Sequence, residues 1–277
     1  MRLIIAGGSS PLGRDLANEL TKRGYSCVVM SRSPKPGAIP YSSLNQEKPD
    51  AILNLIGGHR GNLGAADVES ALTLGEGLLL RAIELSVPLF HLSSGSVIEP
   101  TSGPLASHYP LRNPPFPSLY QELKVRLEEL HDAHSALNQT LDLRLFSFVG
   151  QNFLTGGKYL LSEAFAAIRD HKVLKCTSDD FVRDYSGASE LASAIESAFR
   201  HGVRGKANLF SGRAVSKFEV LEALRQEFGL EFSITAGNSI SQSHYHSASD
   251  LLLPGFDPRS SLDVILQEFR KAKVSAR

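Results

Sequence analysis

The sequence predicts an α/β fold of the Rossmann type, in which a doubly wound parallel sheet carries a smaller C-terminal substrate-binding lobe. Short apolar segments rich in β-branched residues alternate with segments of helical periodicity over the first 150 residues, and this order favours right-handed βαβ units. The alternation is looser after residue 150, and 277 residues suffice for a large domain with an added lobe. We therefore expect a Rossmann domain over 1–150, and over 151–277 a mixed region that completes the sheet edge and forms the substrate lobe.

The apolar and periodic patterns predict the individual elements. Strands are expected at 2–6, 26–31, 51–56, 88–93 and 141–147, with helices near 12–23, 65–85, 118–136, 158–170 and 189–200. A further helix is predicted to start at Ser216, which forms a capping box with Glu219, and to end at Gly229.

Composition excludes several classes of partner. The chain has 29 basic and 29 acidic residues, so neither a nucleic acid nor an anionic membrane is indicated. No apolar run approaches the roughly 20 residues of a membrane span. Together with the lack of a signal-peptide pattern at the N-terminus, this leads us to expect a soluble, cytoplasmic protein.

The cysteines and histidines do not predict a metal site. Cys27 and Cys176 both lie in apolar, strand-like runs, which makes a disulfide framework or a zinc site unexpected. The pairs His131/His134 and His244/His246 lack cysteines or carboxylates at ligand spacing, so we interpret them as helix-surface and loop residues.

A glycine turn joins the first strand to the first helix in the pattern Gly7-x-x-Ser10-x-x-Gly13. Such a turn directs backbone N–H groups at an anion, and the helix dipole adds to the attraction. The same residues would also suit a plain strand-to-helix connection, but their position at the first strand favours a dinucleotide site. The residues expected to contact the cofactor are Gly7, Ser9, Ser10, Leu12 and Gly13.

The end of the second strand bears on the choice of cofactor. NAD enzymes usually place an acidic residue there to bind the adenosine ribose, whereas this chain has Ser31 and Arg32, with Arg14 following the glycine turn. A hydroxyl and a guanidinium suit a 2′-phosphate. We therefore expect NADP(H) to be favoured over NAD(H); the alternative is that Arg32 is a solvated loop residue.

Tyr120 and Lys124 are predicted to lie one turn apart on a helix, where an ammonium group would lower the pKa of the phenol. That pair could exchange a proton with a carbinol or a carbonyl. Ser94 follows a predicted sheet strand, where a hydroxyl could bind the substrate oxygen. Each feature alone has a plain structural reading, as a surface pair or a serine turn, but their order fits one mechanism.

With these residues in place, the chain resembles the extended short-chain dehydrogenase/reductase family, in its NAD-dependent epimerase/dehydratase group. The resemblance rests on the glycine turn, on residues 92–97 (LSSGSV), on Tyr120 and Lys124, on 143–150 (LRLFSFVG) and on 183–185 (RDY). It implies that Leu55, Ile56, Gly57 and Phe146 line the cofactor, which Tyr120 and Lys124 also contact. It further implies that Ser94, Tyr120 and Lys124 are catalytic, and that Ser94, Ser147 and Arg183 contact substrate.

The chain also departs from the family pattern. Ser10 replaces the middle glycine, Ser147 stands where the family has asparagine, and residues 186–189 (SGAS) lack the family's acidic pair. Together with the NADP(H) preference expected from Ser31 and Arg32, the resemblance implies an oxidoreductase that reduces, oxidises or epimerises a carbinol carbon of a nucleotide sugar. The alternatives are a reductase of a small carbonyl compound and a non-catalytic NADP(H)-sensing protein. The sequence leaves a homodimer open.

Overall fold

The computed structural model describes residues 1–32, 36–57, 63–99, 101, 103–137, 139–156, 159–236, 244–248 and 253–275. The strands are β1 (Arg2–Ala6), β2 (Ser26–Ser31), β3 (Ala38–Pro40), β4 (Ala51–Asn54), β5 (Leu89–Ser94), β6 (Thr140–Leu145), β7 (Ser147–Phe148), β8 (Leu174–Thr177), β9 (Val182–Arg183), β10 (Tyr185–Ser186), β11 (Gly205–Leu209), β12 (Val215–Ser216), β13 (Phe232–Thr235) and β14 (His244–Tyr245). The α-helices are α1 (Pro11–Lys22), α2 (Ala65–Leu85), α3 (Leu119–Ala133), α4 (Gln151–Gly156), α5 (Leu160–Asp170), α6 (Ala188–His201), α7 (Lys217–Phe228) and α8 (Ser261–Ser275).

A seven-stranded sheet forms the centre of the molecule, in the order β11-β6-β5-β4-β1-β2-β3. Every neighbouring pair of these strands runs parallel. The strand order reverses between β1 and β4, and ligands of doubly wound sheets bind beyond the carboxyl ends of the strands at such a point. The predicted fold class is confirmed.

Helices cover both faces of the sheet because the central strands are apolar on both sides. Leu3, Ile4 and Ile5 of β1 are fully buried. Helices α1 and α6 pack together on one face, where Leu16 and Leu191 belong to the same core cluster. Helices α2 and α3 pack together on the opposite face. The carboxyl ends of the strands are left open at one edge of this sandwich.

The C-terminal part contributes to the sheet and also has a core of its own. β11 pairs with β6 and forms the sheet edge, while α5, α7 and α8 share a separate apolar cluster. The predicted strands and helices are present within a few residues of their expected bounds. The patterns missed β3 and β11 of the central sheet, the short helix α4, the last helix α8, and all the strands outside the central sheet. Among the described residues, no helix combines the length and the apolar character needed to cross a membrane.

Candidate active site

The glycine turn brings backbone segments into close approach at the N-terminus of α1. Gly7 has φ +80°, and a Cβ there would lie 3.0 Å from the carbonyl carbon of Leu55. A Cβ on Gly13 would lie 2.5 Å from the Cα of Gly8. Glycine is therefore required at both positions, once for the turn and once for helix–strand packing.

Ser10, the departure at the middle glycine, is the N-cap of α1. Its Oγ accepts a hydrogen bond from the backbone N–H of Gly13 at 3.1 Å. A serine side chain at this position satisfies one of the donors that the helix start leaves open. The replacement thus stabilises the helix whose N-terminus faces the candidate cofactor site.

A cavity of about 570 Å³ extends from this helix start across the carboxyl ends of the strands. Of the predicted site residues, its lining contains Ser10, Leu12, Leu55, Gly57, Ser94, Tyr120, Lys124, Phe146, Ser147 and Arg183. Gly7, Ser9, Gly13, Ser31, Arg32 and Ile56 lie outside this lining. The cavity therefore brings the three predicted catalytic residues together with one end of the glycine turn and with the predicted substrate residues.

Lys124 borders the cavity, and its ammonium group is held by backbone carbonyl groups. Lys124 is 3% exposed. Its Nζ donates hydrogen bonds to the carbonyl oxygens of Ile56 at 2.8 Å and Leu92 at 2.7 Å. Burial lowers the pKa of Lys124 to about 7, although the carboxylates of Asp142 and Glu128 oppose the shift. A lysine with this pKa changes its charge near neutral pH.

A pair of histidines lies behind Lys124. Nε2 of His91 is 3.3 Å from Nζ of Lys124, and Nδ1 of His91 is 2.6 Å from Oδ1 of Asp142. Nδ1 of His131 lies 2.8 Å from the same oxygen. The interpretation of His131 as a helix-surface residue is wrong, because the residue is buried on the face of α3 that packs against the sheet.

The Ser94 hydroxyl lies within a cluster of other hydroxyl groups. Its Oγ is 2.9 Å from Oγ of Ser96 and 3.1 Å from the phenolic oxygen of Tyr245. Tyr245 comes from β14 and is buried. A substrate oxygen that approaches Ser94 would therefore meet a hydroxyl that is already oriented by protein groups.

A buried ion pair supports the same helix face. Arg144 on β6 donates from Nε and Nη2 to the two carboxylate oxygens of Glu128 on α3, at 3.0 and 2.7 Å. Both side chains are fully buried. Ser93 also donates to Glu128 at 2.5 Å, so this carboxylate joins β5, β6 and α3.

Arg183 lies on the wall of the cavity against two aromatic rings. Its guanidinium carbon is 4.6 Å from the ring centre of Phe181 and 5.2 Å from that of Tyr245. Cation–π contacts of this kind hold a guanidinium in place. Arg183 lines the cavity beside Phe181 and Tyr185.

The residues predicted to select the cofactor, Ser31 and Arg32, lie outside the lining of the cavity. Ser31 is buried and its Oγ is 2.9 Å from Oγ of Ser9. Nη1 of Arg32 is 3.4 Å from Oδ1 of Asp67 on α2. The N–H of Gly64 and the Arg32 guanidinium hold the pKa of Asp67 below its usual range.

Sequence reasoning missed His91, Asp142, Glu128, Arg144 and Tyr245. A signal was available for three of them: His91, Asp142 and Arg144 each interrupt a strand whose other residues predict burial. Buried polar side chains need partners, so each of these residues could have been expected to pair with another. Tyr245 lies in a serine-rich stretch and gave no such signal.

The fold is shared with solved nucleotide-sugar epimerases. UDP-N-acetylglucosamine 4-epimerase from Bacillus cereus matches at 18% identity with a TM-score of 0.82, over 99% of each chain. UDP-glucose 4-epimerase from Thermus thermophilus, complexed with NAD, matches at 19% identity and a TM-score of 0.79, over 98% of this chain and 100% of that one. UDP-glucuronic acid 4-epimerase from Bacillus cereus, complexed with UDP-glucuronic acid and NAD, matches at 18% identity with a TM-score of 0.79, over 99% of this chain and 100% of that one.

The expected preference for NADP(H) is wrong. The UDP-glucose 4-epimerase from Thermus thermophilus and the UDP-glucuronic acid 4-epimerase from Bacillus cereus are both complexed with NAD. The geometry supplies a physical reason, since the guanidinium of Arg32 faces the carboxylate of Asp67, whose negative charge would repel a 2′-phosphate. Arg14 is directed elsewhere and donates to the carbonyl of Ser9 and to Asn152.

The remaining comparisons are with sequences. No curated protein sequence matches the chain. A family model does match, over residues 3–210. That span runs from β1 to the end of β11 and includes the glycine turn, Ser94, Tyr120 and Lys124, so the central sheet and most of the site fall within it. The chain therefore belongs to the NAD dependent epimerase/dehydratase family.

Proposed function

We propose that the chain epimerises a carbinol carbon of a nucleotide sugar with NAD as cofactor, by oxidation to a ketone followed by reduction from the other face. The observation that carries this proposal is that Ser94, Tyr120 and Lys124 line the same cavity of about 570 Å³. Ser10 and Arg183 also line this cavity. The epimerase folds found in solved relatives support it.

The residues at the glycine turn fit a dinucleotide. Gly7 and Gly13 allow backbone approaches that a Cβ would block, and the start of the 12-residue helix α1 offers N–H groups and a favourable dipole to a pyrophosphate. When bound, the nicotinamide would supply the site that accepts and returns a hydride. Gly57 and Phe146 would form the walls beside it.

Three side chains would manage the proton and the oxygen. Tyr120 would take the hydroxyl proton of the sugar during oxidation and return it during reduction. The ammonium group of Lys124 would stabilise the phenolate form by its charge. Ser94, oriented by Ser96 and Tyr245, would donate a hydrogen bond to the developing carbonyl oxygen.

Arg183 would bind the diphosphate of the substrate. Its guanidinium lies against two aromatic rings in the cavity wall, and arginine binds phosphate oxygens through paired, charge-assisted hydrogen bonds. Arg183→Gln should raise KM for a nucleotide sugar by about ten- to a hundredfold, the loss expected for one hydrogen bond to a charged group. Affinity for NAD should not change. An unaltered KM would remove Arg183 from the substrate site.

The decisive experiment replaces Tyr120 by Phe. A panel of UDP-sugars is incubated with the protein and NAD, and the appearance of the 4-epimer is followed by proton NMR. General acid–base catalysis contributes roughly two to four decades, so kcat should fall at least about a hundredfold in Tyr120→Phe. Since the substitution removes only a hydroxyl, NAD affinity measured by calorimetry should be retained.

Two outcomes would contradict the proposal. A wild-type protein that binds NAD but converts no UDP-sugar would favour a binding protein over an enzyme. Full turnover by Tyr120→Phe would show that another group transfers the proton. Tyr109→Phe, a tyrosine outside the cavity lining, serves as the matched control and should leave kcat unchanged.

A further inference from the structure

A series of buried polar contacts leads from Lys124 away from the cavity. Nζ of Lys124 is 3.3 Å from Nε2 of His91, whose Nδ1 is 2.6 Å from Oδ1 of Asp142. The same Asp142 oxygen is 2.8 Å from Nδ1 of His131. All four residues are at most 3% exposed. The reaction proposed above assigns no role to His91, Asp142 or His131.

Sheet register and helix periodicity place these groups together. His91 on β5 and Asp142 on β6 are direct partners in the parallel ladder, so their side chains lie on the same face of the sheet. Lys124 and His131 are seven residues apart on α3, which is two turns and therefore one face of the helix. The contacts thus follow from the fold and do not depend on a loop.

The protonation of His91 fixes the direction of the hydrogen bonds. Burial and the neighbouring Lys124 lower the pKa of His91 to about 3, in spite of Asp142, so the imidazole is neutral at pH 7. Burial opposes ionisation of Asp142, but the contacts to His131 and His91 outweigh it and hold the pKa of Asp142 below its usual range. Nδ1–H of His91 therefore donates to the carboxylate, which leaves Nε2 as an acceptor towards Lys124.

Lys124 thereby meets three acceptors among the described residues. The carbonyl oxygens of Ile56 and Leu92 and the Nε2 of His91 lie within 2.7–3.3 Å of Nζ, and an ammonium group has three N–H donors. A side chain held by three acceptors loses most of its rotational freedom, which a four-carbon stem would otherwise retain.

We propose that His91, oriented by Asp142 and His131, is a positioning residue that fixes the ammonium group of Lys124 beside Tyr120. The effect of this positioning on turnover rests on the proposed function. The distances of 2.6 and 2.8 Å from the Asp142 carboxylate to the two imidazole rings are those of direct hydrogen bonds. They therefore favour a chain of hydrogen bonds over a metal ion bound between the rings.

A matched pair of substitutions tests the proposal. In His91→Gln the amide oxygen can reach the position of Nε2 and accept from Lys124, whereas in His91→Asn the shorter amide reaches only the position of Nδ1 and Asp142. Both variants replace the buried ring by a smaller amide side chain. If His91 has only a structural role, the two variants should therefore lose similar amounts of kcat. We expect His91→Asn to lower kcat by about ten- to a hundredfold, the cost of one hydrogen bond to a charged group, with KM unchanged. His91→Gln should retain most of the wild-type kcat, and equal losses in the two variants would overturn the proposal.

A second measurement does not depend on turnover or on folding of a variant. In wild-type protein with ¹⁵N-labelled histidine, His91 should show a protonated Nδ1 and an unprotonated Nε2 at pH 7. An unprotonated Nδ1 would overturn the proposal, as would a stoichiometric zinc ion in the purified protein that His91→Asn loses. If no nucleotide sugar is converted, the proposed function fails, but the tautomer still decides whether His91 accepts from Lys124.

Discussion

The two ends of the candidate site are built on opposite principles. Around helix α3, Lys124, Glu128 and Arg144 are at most 3% exposed, and each has several partners within hydrogen-bond distance. At the end of β2, the Arg32 side chain is 61% exposed and meets Asp67 at 3.4 Å. The charged groups around Lys124 are thus held by the core of the fold, whereas Arg32 belongs to a solvated ion pair.

This difference in burial predicts where substitutions will be tolerated. Removing one partner of a buried ion pair leaves a charge without compensation, whereas an exposed pair is screened by water.

Glu128→Gln should be severely destabilising. The substitution keeps the shape of the side chain but leaves the guanidinium of Arg144 buried beside a neutral group. Removing one member of a buried pair costs about 3–5 kcal/mol, which urea unfolding monitored by circular dichroism would measure.

Helix α3 offers a matched control for this loss. Arg126 pairs with Glu69 at 2.6 Å, and their side chains are 37% and 65% exposed. The same change at the exposed site, Glu69→Gln, should cost no more than about 1 kcal/mol. Equal losses at the two sites would mean that burial does not distinguish them.

The second prediction concerns pH and Lys124. Because burial lowers its pKa from 10.5 to about 7, the unfolded chain binds more protons than the folded one between these values. Stability should therefore rise with pH across that window, by up to about 1.4 kcal/mol per pH unit, and show no pH dependence from Lys124 below it. Lys124→Met should lack this rise, so urea unfolding of both proteins from pH 6 to 10 provides the test. Parallel curves would show that the pKa is not lowered.

How much the sequence predicts differs between the two ends for the same physical reason. The β1–α1 turn, the strand that ends at Ser94 and the helix carrying Tyr120 and Lys124 follow from local patterns, because glycine spacing and periodicity are short-range properties. The partner of Arg32 comes from α2, 35 residues away, and no local pattern indicates it. His91 and Asp142 meet only through sheet register, which a single sequence does not specify.

The last prediction addresses the exposed end, where the expected effect is smallest. Asp67→Asn removes the carboxylate that faces Arg32, so the guanidinium would be less compensated and a bound 2′-phosphate would be repelled less. Because water screens an exposed pair of this kind, the ratio of NADP(H) to NAD(H) affinity should rise by no more than about fivefold. The chain contains no tryptophan, so binding is followed by calorimetry or by fluorescence of the reduced nicotinamide. Glu69→Gln, also an exposed acidic residue of α2, controls for the general loss of negative charge and should leave the ratio unchanged. An identical ratio in wild type and Asp67→Asn would show that Asp67 does not oppose the phosphate, and the exclusion of NADP(H) would then have to come from another group at the end of β2.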